Sequence, residues 1–293
     1  MCIQEISKHC ALFPHNFDQT HSPLKVMASK MLISVPLHLL LCWMLLVASK
    51  TITIITLQDA ILSIPLNMSP DSVDDMYSGC RSRMERIVNT KYFEKENKGI
   101  FADVWEKANE CATVKFRAKN NKYGNLTKNH IQAICVFTSN YEKFYMTFND
   151  AVRTNRAIYG TSFPFHFLHF WLTTAVQILG ERTGCKTTYR KTTAVFTGEV
   201  KQKIRFGSFS STSASPNLKV FGNKTCFQIR TCYGAPLKKY SVFSFEEEVL
   251  IPPYEIFQIT KKIKKNYRKL PDCENVYILK SVRFHSNLNC KNA

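Results

Sequence analysis

The stretch Tyr240-Ser241-Val242-Phe243-Ser244-Phe245-Glu246-Glu247-Glu248-Val249-Leu250-Ile251-Pro252-Pro253 sets three acids directly against an apolar run that two prolines end. Read as a strand, Glu248 to Ile251 sends alternate side chains to opposite faces. Glu246 and Glu248 then share one face, with Cα atoms about 6.5–7 Å apart, while Glu247 points away. Two carboxylates held side by side repel, which raises the pKa of one and suits the pair to proton handling and to stabilising a developing cation. Enzymes that cleave glycosidic bonds use such pairs. The competing reading is a solvated acidic turn before a strand.

The texture on either side of this stretch decides the fold class. From Ser69 to about Arg182, apolar residues recur at helical spacing in Phe101 to Ala112, Lys143 to Ala157 and Phe163 to Leu179. Ser69-Pro70-Asp71-Ser72 has the composition of a helix start, with proline first and an acid in the first turn. His166 and His169 lie at i, i+3 on the last of these helices, but no carboxylate or cysteine motif completes a metal site, so both read as structural. From Thr187 onward, β-type runs alternate with Gly, Pro, Ser and Asn turns at 187–190, 193–197, 201–210, 225–231, 241–245, 248–251, 254–260 and 275–284. Helices followed by strands predict an α+β fold, a helical part packed on a mixed β core.

Lys25 and Lys30 precede the apolar run Met31 to Val47, which small residues at Ala48 and Ser49 follow. That is the order of a secretory signal, with translation starting at Met1 or at Met27 or Met31. Residues 1–49 are therefore expected to be a leader and 50–293 a single domain without linker or repeat. An uncleaved signal anchor is the alternative, since about 17 apolar residues sit at the short limit for a span. The C-terminus lacks the hydrophobic tail of a lipid-anchor signal, so a secreted protein is expected. Sequons at Asn67, Asn125 and Asn223 are compatible with glycosylation.

The chain carries eleven cysteines. Cys2, Cys10 and Cys42 fall in or before the leader, and the even remainder suits disulfides in an oxidising compartment. No Cys-x-x-Cys occurs among them, which disfavours zinc. A hydrophobic content of 45% excludes a disordered chain, and the net charge of +18 points to an anionic partner. No nucleic-acid motif accompanies that charge. Its one cluster, Lys261, Lys262, Lys264, Lys265, Arg268 and Lys269, reads as a solvated hairpin tip or as a glycosaminoglycan or acidic-partner site.

Two further stretches join the acidic one. Thr188-Tyr189-Arg190 ends a short β-type run on an arginine, and Arg205-Phe206-Gly207-Ser208-Phe209-Ser210-Ser211-Thr212-Ser213 runs an aromatic-containing strand into hydroxyls. Arg190, then Ser211-Thr212-Ser213, then Glu246-x-Glu248 resembles the R-S-E signature of the vertebrate arginine-specific mono-ADP-ribosyltransferases, ecto-enzymes related in fold to clostridial-type toxins. Blocks at Asp71 to Cys80, Val104 to Ala108, Phe148 to Arg153, Leu168 to Phe170 and Thr231 to Pro236 extend the likeness over roughly residues 66–290.

The resemblance implies helices on a core of two sheets with an NAD cleft between them. NAD is then the co-substrate, with no metal, and arginine side chains of proteins are the acceptors. Arg190 would anchor NAD, Ser211 would hold the catalytic carboxylate or the ribose, and Tyr189 and Thr212 would also line the dinucleotide. Glu248 would stabilise the cationic ribose, and Glu246 would orient and deprotonate the acceptor guanidinium. The resemblance also implies disulfides Cys80–Cys290 and Cys185–Cys232, with Cys111–Cys135 and Cys226–Cys273 expected for the rest. Lys191 departs from the family, where glycine is usual, and is expected to narrow the cleft or add a phosphate contact. A secreted monomer that transfers ADP-ribose and contacts NAD, acceptor proteins and an anionic cell surface, but no nucleic acid, is the resulting expectation. The alternatives are NAD hydrolysis at the same site, or a catalytically silent basic binding protein.

Overall fold

Apolar periodicity builds the first half of the fold. It forms α1 (Arg81–Ile87), which continues through a π turn at Val88–Tyr92 and on to Glu96, then α2 (Gly99–Arg117), α3 (Lys128–Thr138), α4 (Phe144–Thr154) and α5 (His166–Gly180). The computed structural model describes residues 63–118, 125–181, 183–217 and 221–293, so the leader and its exit lie outside it. Residues 64–293 belong to one compact unit. Helix α5 is buried almost all round, the mark of a central helix, and aromatic rings pack on it, with Trp105 edge-on to Phe167 at 5.0 Å.

Both histidines of α5 serve this packing. His166 Nδ1 lies 2.6 Å from Glu96 Oε1 with its ring stacked on Tyr92, and His169 Nδ1 lies 2.7 Å from the Tyr77 hydroxyl. Burial lowers the His169 pKa to about 3, so its ring is neutral.

The helix start expected at Ser69 does not form. The chain runs without helix from Leu66 to Cys80, because its polar side chains find distant partners that outweigh local capping. Asp74 accepts from the Arg205 guanidinium at 2.6 Å and from the backbone N–H groups of Asn287 and Leu288. Asp75 accepts from the Tyr159 hydroxyl and from the Cys290 N–H. Asp74 and Asp75, just past the expected helix start, instead clasp the C-terminal segment, which the Cys80–Cys290 disulfide also ties down.

The second half contributes the strands. The pair β1 (Ser63–Pro65) and β3 (Val195–Thr197) is separate from a mixed sheet of β2 (Lys186–Thr192), β4 (Lys203–Ile204), β5 (Ser210–Ser213), β6 (Thr225–Thr231), β7 (Ala235–Pro236), β8 (Glu248–Ile251), β9 (Glu255–Lys264) and β10 (Asn275–Phe284). Its order is β4-β9-β10-β6-β2-β5-β8-β7, with β10 parallel to β6 and the other pairs antiparallel. Strands β2 and β5 meet at one residue pair, Tyr189 with Ser213, so the sheet divides there into five strands and three.

Two expected strands are shorter or absent. The run 201–210 is broken into β4 and the first residue of β5, because Arg205 turns its side chain inward and Gly207 breaks the strand at φ +71°, where a Cβ would lie 2.3 Å from that of Ser69. The run 241–245 is not a strand, since Ser241 folds its hydroxyl back to accept the Phe243 N–H and the chain enters a 3-10 turn at Ser244–Glu246. Phe209, Leu250, Ala235, Leu237 and Tyr240 of the three-stranded part join the helical core, while Phe227, Ile229, Phe257, Ile259, Tyr277 and Leu279 fill a second core under the five-stranded part. The expected disulfides are all present: Cys80–Cys290, Cys111–Cys135, Cys185–Cys232 and Cys226–Cys273.

The buried Arg205–Asp74 pair locks the strap at 66–79 to both the sheet and the C-terminus. Arg205→Met strands the Asp74 carboxylate and is expected to lower stability by about 3–5 kcal/mol in urea denaturation, with a smaller loss when Asp74→Asn is added.

Candidate active site

The hydroxyl-rich strand β5 is buried along its whole length, an unusual place for Ser-Ser-Thr-Ser. Helix α4 holds the segment that feeds it. Asn149 donates to the Phe209 carbonyl at 3.0 Å, and Arg153 donates to the Phe206 carbonyl and to the Ser208 hydroxyl. The Ser72 hydroxyl donates to the Gly207 carbonyl at 2.7 Å. Within the strand, Thr212 donates to the Val249 carbonyl and Ser213 to the Glu246 carbonyl, which fixes β5 against β8 and the turn before it. Ser211 precedes both, its backbone paired with Leu250.

Arg190 comes from β2, just past the junction, and is 6% exposed. Its Nη1 donates to the Ser211 carbonyl at 3.1 Å. Burial and then the like charge of Arg153 lower its pKa to about 10. Among the described residues no carboxylate pairs with it, so this buried guanidinium is a ready partner for an anion. It borders a cavity of about 270 Å³ with Arg153, Ser210, Phe206 and Phe227, and a narrow opening beside Ser213, Ser215, Pro216 and Phe221.

Lys191 lines the narrow opening together with Arg190, and Asp272 takes up its charge. Its ammonium lies 2.9 Å from both Asp272 oxygens.

Glu246 and Glu248 are brought together by a turn rather than by strand alternation. Glu246 ends the 3-10 turn, Glu247 reverses the chain at φ +47°, and β8 begins at Glu248. The outcome expected for the side chains still follows: Glu246 is 4% exposed and Glu248 is 2% exposed, with Glu247 out in solvent. Burial raises the Glu248 pKa to about 7, against the Ser211 and Ser241 hydroxyls, and the neighbouring charge of Glu246 adds to the rise. Oε2 of Glu248 accepts from Ser241 at 3.0 Å, whereas Oε1 is buried without a hydrogen-bond partner. Glu248 lines a cavity of about 490 Å³ with Ala214, Pro236, Lys239, Ser244 and Glu247.

Arg190, Ser211, Glu246 and Glu248 are thus linked through adjacent contacts around the split in the sheet. Tyr189 borders the narrow opening beside Arg190, and Thr212 lies in the β5–β8 pairing. The Tyr189 ring packs on the cluster of Cys226, Leu270, Cys273 and Val276, and the Thr212 hydroxyl is committed to Val249. Sequence reading missed Ser241, which lies seven residues from Glu248 in a run that looks like a strand. It quoted Asn149 and Arg153 only as part of a block, with no pattern to show that they grip β5.

A buried cation lacking a carboxylate and a buried carboxylate oxygen lacking a donor stand on β2 and β8, the strands that flank β5, each beside its own cavity, and suit a substrate that is both anionic and glycosidic. Residues 66–275 match the family model described as NAD:arginine ADP-ribosyltransferase. The ecto-ADP-ribosyltransferase 5 of Rattus norvegicus is 36% identical over 215 residues, 69% of each chain. The erythroblast NAD(P)(+)–arginine ADP-ribosyltransferase of Gallus gallus is 34% identical over 215 residues, 68% of each. A variant of the eukaryotic mono-ADP-ribosyltransferase ART2.2, solved in complex with NADH, has the same fold at a TM-score of 0.67 and 28% identity, over 78% of this chain and 100% of that one. The chain belongs to the NAD:arginine ADP-ribosyltransferase family. It transfers ADP-ribose from NAD to arginine side chains and releases nicotinamide.

The raised Glu248 pKa has a thermodynamic consequence. Folding favours its protonated form, so its contribution to stability is full below pH 4.5 and is lost as pH rises through about 7. Glu248→Gln removes that dependence and is expected to be more stable than wild type at pH 8 by about 1–3 kcal/mol, with the difference vanishing near pH 4.5, as followed by chemical denaturation.

Proposed function

We propose that Glu248 is the residue on which transfer turns. The observation that carries this is its Oε1, a carboxylate oxygen buried without a donor, beside an open cavity. A ribose hydroxyl would supply the missing hydrogen bond, and the carboxylate would then face the positive charge that develops on the ribose carbon as its bond to nicotinamide breaks. The bonding electrons leave with the nicotinamide nitrogen. A guanidine nitrogen of the acceptor forms the new bond to the same carbon, and its proton passes to Glu246. That proton transfer is needed because a guanidinium stays protonated near neutral pH and has no lone pair to offer.

Arg190 would hold the diphosphate. Its buried, unpaired guanidinium supports this, since bidentate hydrogen bonds to phosphate suit a planar fork. Ser211 lies between the two charged ends and would position Glu248 or the ribose. Asn149 and Arg153 keep β5 in place for it.

The disulfides and the exposed sequon asparagines Asn67, Asn125 and Asn223 support a place outside the cell, with residues 50–293 as the mature secreted domain. The names of ecto-enzyme relatives agree with that reading.

Labelled NAD with agmatine as acceptor tests the assignment. Glu248→Gln is expected to lower both transfer and NAD hydrolysis by about 10²–10³-fold, the usual loss for one preorganised electrostatic group. Glu246→Gln should lose transfer while hydrolysis persists. Full turnover by the Glu248 variant would remove it from the mechanism. In the same assay Arg190→Lys should raise the KM for NAD at least tenfold, about 1.4 kcal/mol.

A further inference from the structure

The five-stranded part of the sheet carries an exposed face on which cations predominate. In register, Arg230 of β6 lies directly opposite Lys280 of β10, and Thr187 of β2 flanks Arg230 on its other side. Two residues along the same face, Ile278 of β10 is paired on one side with Gln228 and on the other with Lys261 of β9. Alternation therefore puts Arg230, Lys280 and Lys261 on one surface. Neighbouring strands are about 4.8 Å apart, so Arg230 and Lys280 form a like-charge cross-strand pair, an arrangement that costs stability.

The hairpin loop adds to the same surface. The Tyr267 hydroxyl donates to Gln228 Oε1 at 2.8 Å, and Leu270 is buried against Cys226, Cys273 and Val276. The loop is thus folded back over this face, and the two residues between those anchors, Arg268 and Lys269, are exposed on it. The expectation of a solvated tip is too simple. Cations from β6, β9, β10 and the loop meet on one plane, although they are up to fifty residues apart in sequence.

No acid on this side neutralises them. Asp272 is engaged by Lys191 and Glu274 by Lys224, and among the described residues none of Arg230, Lys261, Arg268, Lys269 and Lys280 is in an ion pair. Retaining a repulsive pair in register makes physical sense when an external anion relieves it.

We propose that this face binds a linear sulfated polysaccharide. The cations sit side by side on neighbouring strands, a few ångströms apart, which suits anionic groups repeated along a chain. Thr187, Gln228 and Ile278 occupy the positions between them, and the two tyrosines on this side, Tyr189 and Tyr267, are half-buried against the Cys226 cluster rather than raised as platforms for nucleic-acid bases. The disulfides place the protein where sulfated sugars are the abundant polyanions. The site is independent of the roles assigned to Glu246 and Glu248.

Heparin binding by the full mature protein tests this, measured by calorimetry across a salt series. Two triple variants remove equal charge: Arg230→Ser/Lys261→Ser/Lys280→Ser on the face, and Arg83→Ser/Lys91→Ser/Lys98→Ser, exposed on the helical half. The face triple is expected to weaken heparin at least tenfold at 150 mM salt and to flatten the log–log salt slope by roughly two to three, as expected for three lost charge contacts. The helical triple should change affinity less than threefold. Loss of the like-charge pair should leave the melting temperature of the face triple unchanged or raised, and agmatine labelling within twofold of wild type confirms that it is folded. Equal losses in both triples would overturn the proposal in favour of diffuse net charge. Tighter binding of single-stranded RNA or of phosphatidylserine vesicles than of heparin, with the same dependence on the face triple, would overturn it in favour of those partners.

Discussion

The sheet holds together between β2 and β5 at one residue pair, Tyr189 with Ser213. Beyond that pair the strands part, and side chains that a continuous sheet would cover with ladder hydrogen bonds and a packed face are left lining space. Arg190 follows the junction on one side, and Ser211 precedes it on the other. Strand β8 pairs along all of β5 and so brings Glu248 opposite Ser213. A closed sheet would have no cleft, and a sheet fully separated at this point would have no means of fixing Arg190 relative to Ser211. The single pair, with the guanidinium bonded to the Ser211 carbonyl, supplies both the gap and its alignment.

Holding charge in that gap is costly, and the surrounding structure is built to withstand it. Segment 206–209 is gripped by Asn149, Arg153 and Ser72, and the strap at 66–79 is tied through Asp74 and Arg205. The Cys80–Cys290 disulfide closes a loop spanning 210 residues, which in the chain-entropy account contributes about 4–5 kcal/mol. Such cross-links matter because two buried charged groups without full partners oppose folding. The stability of the scaffold is what permits the site to be unsatisfied.

Much of this was legible in the sequence, for reasons that differ between elements. The long helices show in their apolar period, and β6, β8 and β10 in their β-branched runs, because each signal is local. Arg190, Ser211, Glu246 and Glu248 were found through a spaced motif that marks a known family. What could not be read depends on distant partners. The acids after Ser69 look like a helix start until Arg205 and the C-terminal N–H groups claim them. Glu246 and Glu248 are both buried while Glu247 is exposed, as strand alternation predicts, yet this comes about through a left-handed residue at Glu247 that no pattern announces. Lys191 looks like a free cation beside Arg190 until Asp272, 81 residues away in sequence, is seen to pair with it. The basic face is scattered through the sequence, and only strand register assembles it.

Arg190 and Glu248 show the same physical effect with opposite sign. Burial lowers the guanidinium to about 10 and raises the carboxyl to about 7, so each is pushed toward its neutral form. Pairing them with each other would relieve both and close the site. The fold instead gives Arg190 a backbone carbonyl and Glu248 a serine hydroxyl, neutral partners that orient each group without cancelling its charge. NAD carries charge of both signs, a diphosphate and a cationic nicotinamide ring, joined through a ribose that bears hydroxyls. Under the assignment proposed above, one ligand compensates both ends of the cleft, and the positive charge beside Glu248 grows as the bond to nicotinamide breaks. The groups that are least comfortable in the free protein are then the ones best satisfied as the reaction proceeds, which is the condition for binding a transition state more tightly than a substrate.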